Sequence, residues 1–238
     1  MPRPKKKPDY DAEQIMQDYM DAIVEAFGSY DDRVGVEPKQ SLNMVAAEFE
    51  ITALKARKLL ITAGVYSTTL SRQVAELKAA GADIDQIMVA TGLSRASVHS
   101  YLPYTKLPYN MAELSANAER VKMYRERKRR CAEFCTGAQT TSTSEAEEAL
   151  WEVLELLQGC IFYTTKGLKF RYTIKGGEMF VNRKSKSITQ ATVFMAYRRA
   201  MELMSRDGVV AGPKKLGTFG ASYLYPVFVR IGVIRPNS

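Results

Sequence analysis

Arg95, Ser97, His99 and Ser100, introduced by Ser94, lie together in the segment IDQIMVATGLSRASVHSYL, residues 84–102. Guanidinium, imidazole and hydroxyl groups clustered at the start of a helix can reach base edges and phosphate oxygens in a nucleic-acid groove. They offer little to catalysis. His99 is the single histidine of the chain, which removes most histidine-based nucleophile and general-base arrangements. With Cys131, Cys135 and Cys160 it makes no convincing zinc ligand set, and there is no glycine-rich phosphate cradle. A metal-dependent nuclease would need clustered carboxylates, whereas Glu178, Glu202 and Asp207 of the carboxy-terminal part are scattered along the sequence. No catalytic residue, metal or cofactor is expected, and the cysteines read as reduced, partly buried thiols.

A helix that presents groups to DNA must be braced by a second helix across a tight turn. The spacing meets that need. Ile84 and Ile87 fall on the core side of a first helix, Gly92 takes the turn, Leu93 fills the junction, and Val98 with Tyr101 or Leu102 anchors the second helix. Ser94 is a natural amino-terminal cap. The run Gly92, Leu93, Ser94 and Val98 resembles bacterial helix-turn-helix regulators. Met88 departs from the pattern, which usually has a small residue there. The resemblance covers about a tenth of the chain and implies base reading by Ser94, Arg95, Ser97, His99 and Ser100.

An earlier block, residues 41–62, looks like a diverged copy. Val45, Ala46, Phe49, Ile51 and Leu59 suit its core, and Glu50 stands where glycine is usual. Its second helix would expose Thr52, Lys55, Arg57 and Lys58, a more basic set suited to phosphates. Ahead of it, Ile15, Tyr19, Ile23 and Phe27 recur at helical spacing. The basic, proline-rich residues 1–8 are expected to form a flexible arm.

After Pro103 and Pro108 a long helix is predicted over 111 to about 135, with Leu114, Ala118, Val121 and Tyr124 on one side. Its latter half, ERVKMYRERKRR, carries seven Lys and Arg against two Glu, and Arg125, Lys128 and Arg129 are candidate phosphate contacts. The polar stretch 136–144 reads as a linker between a helical domain over 9–135 and a basic α+β domain over 145–238. Ser144 with Glu147, and Ser187 with Gln190, suggest capping boxes for two later helices. Gly176 and Gly177 mark a β-hairpin turn between alternating strands, whose Phe170 and Tyr172 are assigned to the core. Lys214 and Lys215 are placed on a short helix before a final helix over 221–231, a winged-helix-like arrangement.

Charge separates along the chain. Residues 161–238 hold 14 Lys and Arg against 3 Asp and Glu, and residues 1–160 hold 20 against 23. The basic part points to a polyanion. Lys169, Arg171, Arg183, Lys184, Lys186, Lys214 and Lys215 are its candidate contacts, with Arg198 and Arg199 nearby. The expected fold is mainly α with a small α+β part, and two helix-turn-helix units occupy the amino-terminal domain. The expected partner is double-stranded DNA, bound sequence-specifically as by a bacterial transcriptional regulator of mobile-element or phage type. The rival is an accessory protein for recombination or replication of a mobile element, docking a partner or a second copy through the helix at 145–158. Neither a secretory signal nor a membrane span is evident, so a cytoplasmic location is expected.

Overall fold

The computed structural model describes residues 11–104, 111–138 and 142–236; the arm at 1–8 lies outside them. The fold is mainly α with small β-sheets. The chain divides between Tyr124 and Arg125.

The first unit contains two successive three-helix groups. Asp11 caps α1 (Ala12–Phe27) by accepting from the backbone N–H of Glu13 and Gln14, and the helix buries Met16, Tyr19, Ile23 and Phe27. Met16 therefore takes the place expected of Ile15. After β1 (Tyr30–Asp31) come α2 (Leu42–Glu48) and α3 (Ala53–Thr62). Val45, Phe49, Leu59 and Leu60 close a core with the buried face of α1, and the Tyr19 and Phe49 rings meet edge to face at 5.9 Å. β2 (Tyr66–Ser67) then pairs in parallel with β1.

The second group is α4 (Thr69–Ala79), α5 (Ile84–Thr91) and α6 (Arg95–Tyr101). Val74, Ile87 and Val98, one from each helix, are fully buried together, with Tyr101 beside them. Each such side chain contributes about 1.5–3 kcal/mol when removed from water. The Asp32 carboxylate joins β1 to α4: it accepts from the Thr69 N–H at 2.7 Å, the Thr69 hydroxyl at 3.0 Å and Arg72 at 2.8 Å. These partners, the Thr69 N–H foremost, hold the Asp32 carboxyl below the ordinary aspartate range.

The division falls inside α7 (Met111–Gly137), not in the polar stretch 136–144. The reason is packing. Val121 and Tyr124 join the first core, whereas Cys131, Phe134 and Cys135 join the core of the second unit. The buried side of the helix also runs through Asn117 in place of Ala118.

In the second unit α8 (Thr143–Leu156) starts at Ser142, whose hydroxyl and Glu145 form the capping box. The pattern Ser-x-x-Glu occurs twice in overlapping registers, and the expected pair Ser144 and Glu147 is not the one used. Glu147 is needed elsewhere: it is 5% exposed and forks onto Arg198 at 2.5 and 2.9 Å. Ala146, Leu150, Val153 and Leu154 of α8 are buried in the unit's own core, so the apolar face that suggested docking is already covered.

Two short strands, β3 (Phe162–Tyr163) and β4 (Lys169–Phe170), pair antiparallel. They lead to a three-stranded antiparallel sheet of β5 (Tyr172–Lys175), β6 (Glu178–Val181) and β7 (Ile188–Thr189), with β6 in the centre. Gly176 and Gly177 connect β5 to β6 with φ of 57° and 74°, the left-handed pair that a tight hairpin requires. Phe170 and Tyr172 are buried as expected, and the Tyr172 hydroxyl donates to the Leu154 carbonyl at 2.8 Å. Burial pushes that phenol well above its usual range. Thr189, not Ser187, caps α9 (Gln190–Asp207); the Ser187 hydroxyl instead donates to Glu178. A 3₁₀ turn, η1 (Pro213–Leu216), carries Lys214 and Lys215, and α10 (Ala221–Ile231) ends the fold with the expected bounds. No helix among the described residues is long and apolar enough to cross a membrane.

Candidate nucleic-acid interface

The turn between α5 and α6 is built as its spacing implies. Gly92 sits at φ 69° and its N–H donates to the Met88 carbonyl at 2.9 Å, a left-handed helix stop that glycine adopts without strain. Ser94 then caps α6 by accepting from the Ser97 N–H, and its hydroxyl also bonds the Ser97 hydroxyl at 3.0 Å. Leu93 and Met88 are half-buried against the core, so the larger Met88 is accommodated.

The equivalent turn between α2 and α3 is the clearest local feature of the first unit. Glu50 has φ 52°, and among the described residues it is the one non-glycine with positive φ. The Ile51 N–H donates to the Ala46 carbonyl at 2.9 Å, and the Glu50 N–H to Ala47, the double bond of a Schellman stop. Thr52 caps α3 by accepting from the Lys55 N–H. Both blocks thus share a left-handed turn residue followed two positions later by a hydroxyl cap.

Their outward faces differ from expectation. On α6, Arg95, Ala96 and His99 are exposed and Ser97 is half-buried, but Ser100 is only 4% exposed. Ser100 is not a base-reading position: its hydroxyl donates to the Ser97 carbonyl at 2.7 Å and accepts from Arg57 at 3.1 Å. Arg57 is likewise turned inward. Its guanidinium lies 4.7 Å from the centre of the Tyr101 ring and faces Tyr66, whose phenol is pushed up by burial against the lowering field of that charge. Arg57 therefore joins α3 to α6 and is not available to a phosphate. The helix periodicity of α3 could not reveal this, because the partner lies 43 residues away. Thr52 is exposed, and Lys55 and Lys58 are half-buried on the same helix.

Arg95 pairs with Asp85 at the start of α5, both side chains being more than half exposed. An exposed pair of this kind is worth no more than about 1 kcal/mol and is easily exchanged for a phosphate or a base edge. Val89, also on α5, is 87% exposed, which the sequence reading did not single out.

Much of the α7 basic run is neutralised locally. Arg129 bridges Glu126 at 2.7 Å and Glu133 at 2.6 Å, and Arg130 meets Glu152 at 3.0 Å. Arg125 and Lys128 are exposed on the same helix. In the second unit Arg198 and Arg199 are paired, with Glu147 and Glu202 respectively. Lys169, Arg171, Arg183, Lys184, Lys186, Lys214 and Lys215 are all exposed, as a polyanion contact requires.

Among the described residues no group of three or more His, Cys, Asp or Glu side chains is placed to hold a metal ion. The three cysteines are unbridged; the Cys135 thiol donates to the Ile231 carbonyl, and burial raises its pKa above the usual thiol value. Compared with protein-family models, with curated proteins and with solved structures, the chain matches none.

Proposed function

We propose that the protein binds double-stranded DNA sequence-specifically and works in the cytoplasm as a transcriptional regulator of bacterial type. One observation carries the reading: α6 is fastened from behind by Val98 and Tyr101 and offers Arg95, Ala96 and His99 outward immediately after a left-handed Gly92 turn. A recognition helix needs that division between a buried anchor side and a free amino-terminal side. In this reading Arg95 exchanges Asp85 for a guanine edge or a phosphate, His99 and Ser97 supply further polar contacts, and Ala96 lets the helix approach closely. The first helix-turn-helix group has a supporting role, holding α6 through Arg57, with Thr52, Lys55 and Lys58 at the backbone. The apolar face of α8 is buried in its own unit, so the accessory-protein reading needs a docking surface other than the one expected.

The division of labour is tested by two variants on a set of related duplexes. Arg95→Ala should narrow the affinity difference between preferred and mismatched sites by about 1–3 kcal/mol, while Lys58→Ala should weaken all sites alike and lower the salt slope by about one. Equal effects from both would overturn it.

A further inference from the structure

Much of the unpaired charge of the second unit lies on and beside its strands, while Lys214 and Lys215 of η1 are also exposed and unpaired among the described residues. Lys169 of β4, Arg171 and Lys175 on the β5 side, and Arg183, Lys184 and Lys186 between β6 and β7 are all exposed, and none forms an ion pair among the described residues. Cations on the helices of this unit are treated differently: Arg129, Arg198, Arg199 and Arg206 each meet a carboxylate. The one carboxylate of the sheet, Glu178, is half-buried and accepts from Ser187.

An exposed apolar residue lies on the same sheet. Side chains alternate along a strand, so with Met179 and Val181 in the core Phe180 must point to the opposite face. It is 41% exposed, on the central strand, directly across from the exposed Thr173. Just past the end of β6, Asn182 is exposed and uses its carbonyl to accept from the Arg171 N–H at 2.9 Å, which leaves its amide protons for another partner. On this face Arg171 and Lys175 flank Thr173 along the neighbouring strand, and Glu178 lies across from Lys175; a phenyl ring between hydrogen-bonding side chains and these cations is a surface for a polyanion that also offers edges and methyl groups.

We propose that the outer face of the β5–β6 ribbon is a second duplex-DNA contact that enters the major groove, with Phe180, Thr173 and Asn182 toward the bases and the neighbouring cations on phosphates. Two strands of four residues about 4.8 Å apart match the ribbon that the ~12 Å major groove admits, and with side chains they exceed the ~6 Å minor groove. Sheets that stack on unpaired bases present two or three exposed aromatics; here Phe170 and Tyr172 are buried and Phe180 stands without them. The inference rests on the duplex-binding reading for the identity of the polyanion, but uses none of the α6 residues.

The test measures binding of the full-length protein to a duplex and to a single strand of equal length, across a salt series. Lys175→Ala with Lys184→Ala should weaken duplex binding several-fold and lower the salt slope by about two. Phe180→Ala should weaken preferred sites more than scrambled ones at an unchanged slope, and Phe180→Tyr should restore most of the loss. All changed side chains are exposed, and unaltered circular dichroism and melting confirm that the variants fold. Unchanged affinity and slope in the lysine pair would overturn the inference, as would native protein that prefers the single strand and loses that preference in Phe180→Ala. A separate Arg95→Ala, His99→Ala protein isolates the α6 reading: if its site preference is intact while the sheet variants weaken binding, the α6 assignment fails and the sheet contact stands.

Discussion

Exchanging the two turn residues tests the equivalence of the helix-turn-helix blocks by stability alone. Glu50 holds a left-handed backbone at φ 52°, a conformation that costs an ordinary L-residue about 1–2 kcal/mol. Glycine removes that strain but brings about 0.5–1 kcal/mol of extra chain entropy to be lost on folding. Glu50 is exposed and makes no ion pair among the described residues, so its side chain gives up nothing. Glu50→Gly should therefore stabilise the first unit by roughly 0.75 kcal/mol, the difference between the midpoints of the two ranges. At Gly92 the balance reverses: an added Cβ has no atom within 4 Å, so steric clash plays no part, and Gly92→Ala should cost about the same amount through φ alone. Thermal unfolding of the full-length variants, followed by circular dichroism, should show shifts of about 2–6 °C in opposite directions. Amide exchange then locates them, with protection rising in α2 and α3 for Glu50→Gly and falling in α5 and α6 for Gly92→Ala. A destabilised Glu50→Gly, or a neutral Gly92→Ala, would refute the argument.

Three further outcomes are expected. Arg57→Ala removes the bond to Ser100 and the contact with Tyr101 and should cost about 1–2 kcal/mol in urea unfolding; Arg57→Lys should recover little, because an ammonium cannot both stack on the ring and reach the hydroxyl. Asp32 has a folded pKa below its unfolded one, so its contribution is present above the unfolded value and is lost as pH falls through the folded one; melting temperatures of native protein and Asp32→Asn should converge toward acid, and parallel curves would contradict this. Arg198→Ala strands the buried Glu147 and should lower the melting temperature, while Glu147→Gln in the same background should restore part of the loss; an unchanged melting temperature in Arg198→Ala would contradict this.

What the sequence made legible was local. Gly92 with Ser94 and Val98, the Gly176–Gly177 turn and the bounds of α10 follow from neighbouring residues, and the structure places each as read. Glu50 was recognisable as the turn position only by analogy with Gly92, and its positive φ supplies the physical reason. Distant partners were hidden. The inward turn of Arg57 depends on Ser100 and Tyr101, the parallel β1–β2 pairing on two short segments 36 residues apart in register, and the choice of Ser142 over Ser144 on where Arg198 meets Glu147. Phe180 was within reach of the sequence: once Met179 and Val181 are assigned to the core, strand alternation turns it outward.

The central claim is that this protein reads duplex sequence through α6. Selection of bound duplexes from a random pool, run in parallel with native protein and Arg95→Ala, tests it most directly. The native protein should enrich a defined motif, and the variant should lose preference at one or two positions of that motif. No enrichment with the native protein, or the same motif with both, would contradict it.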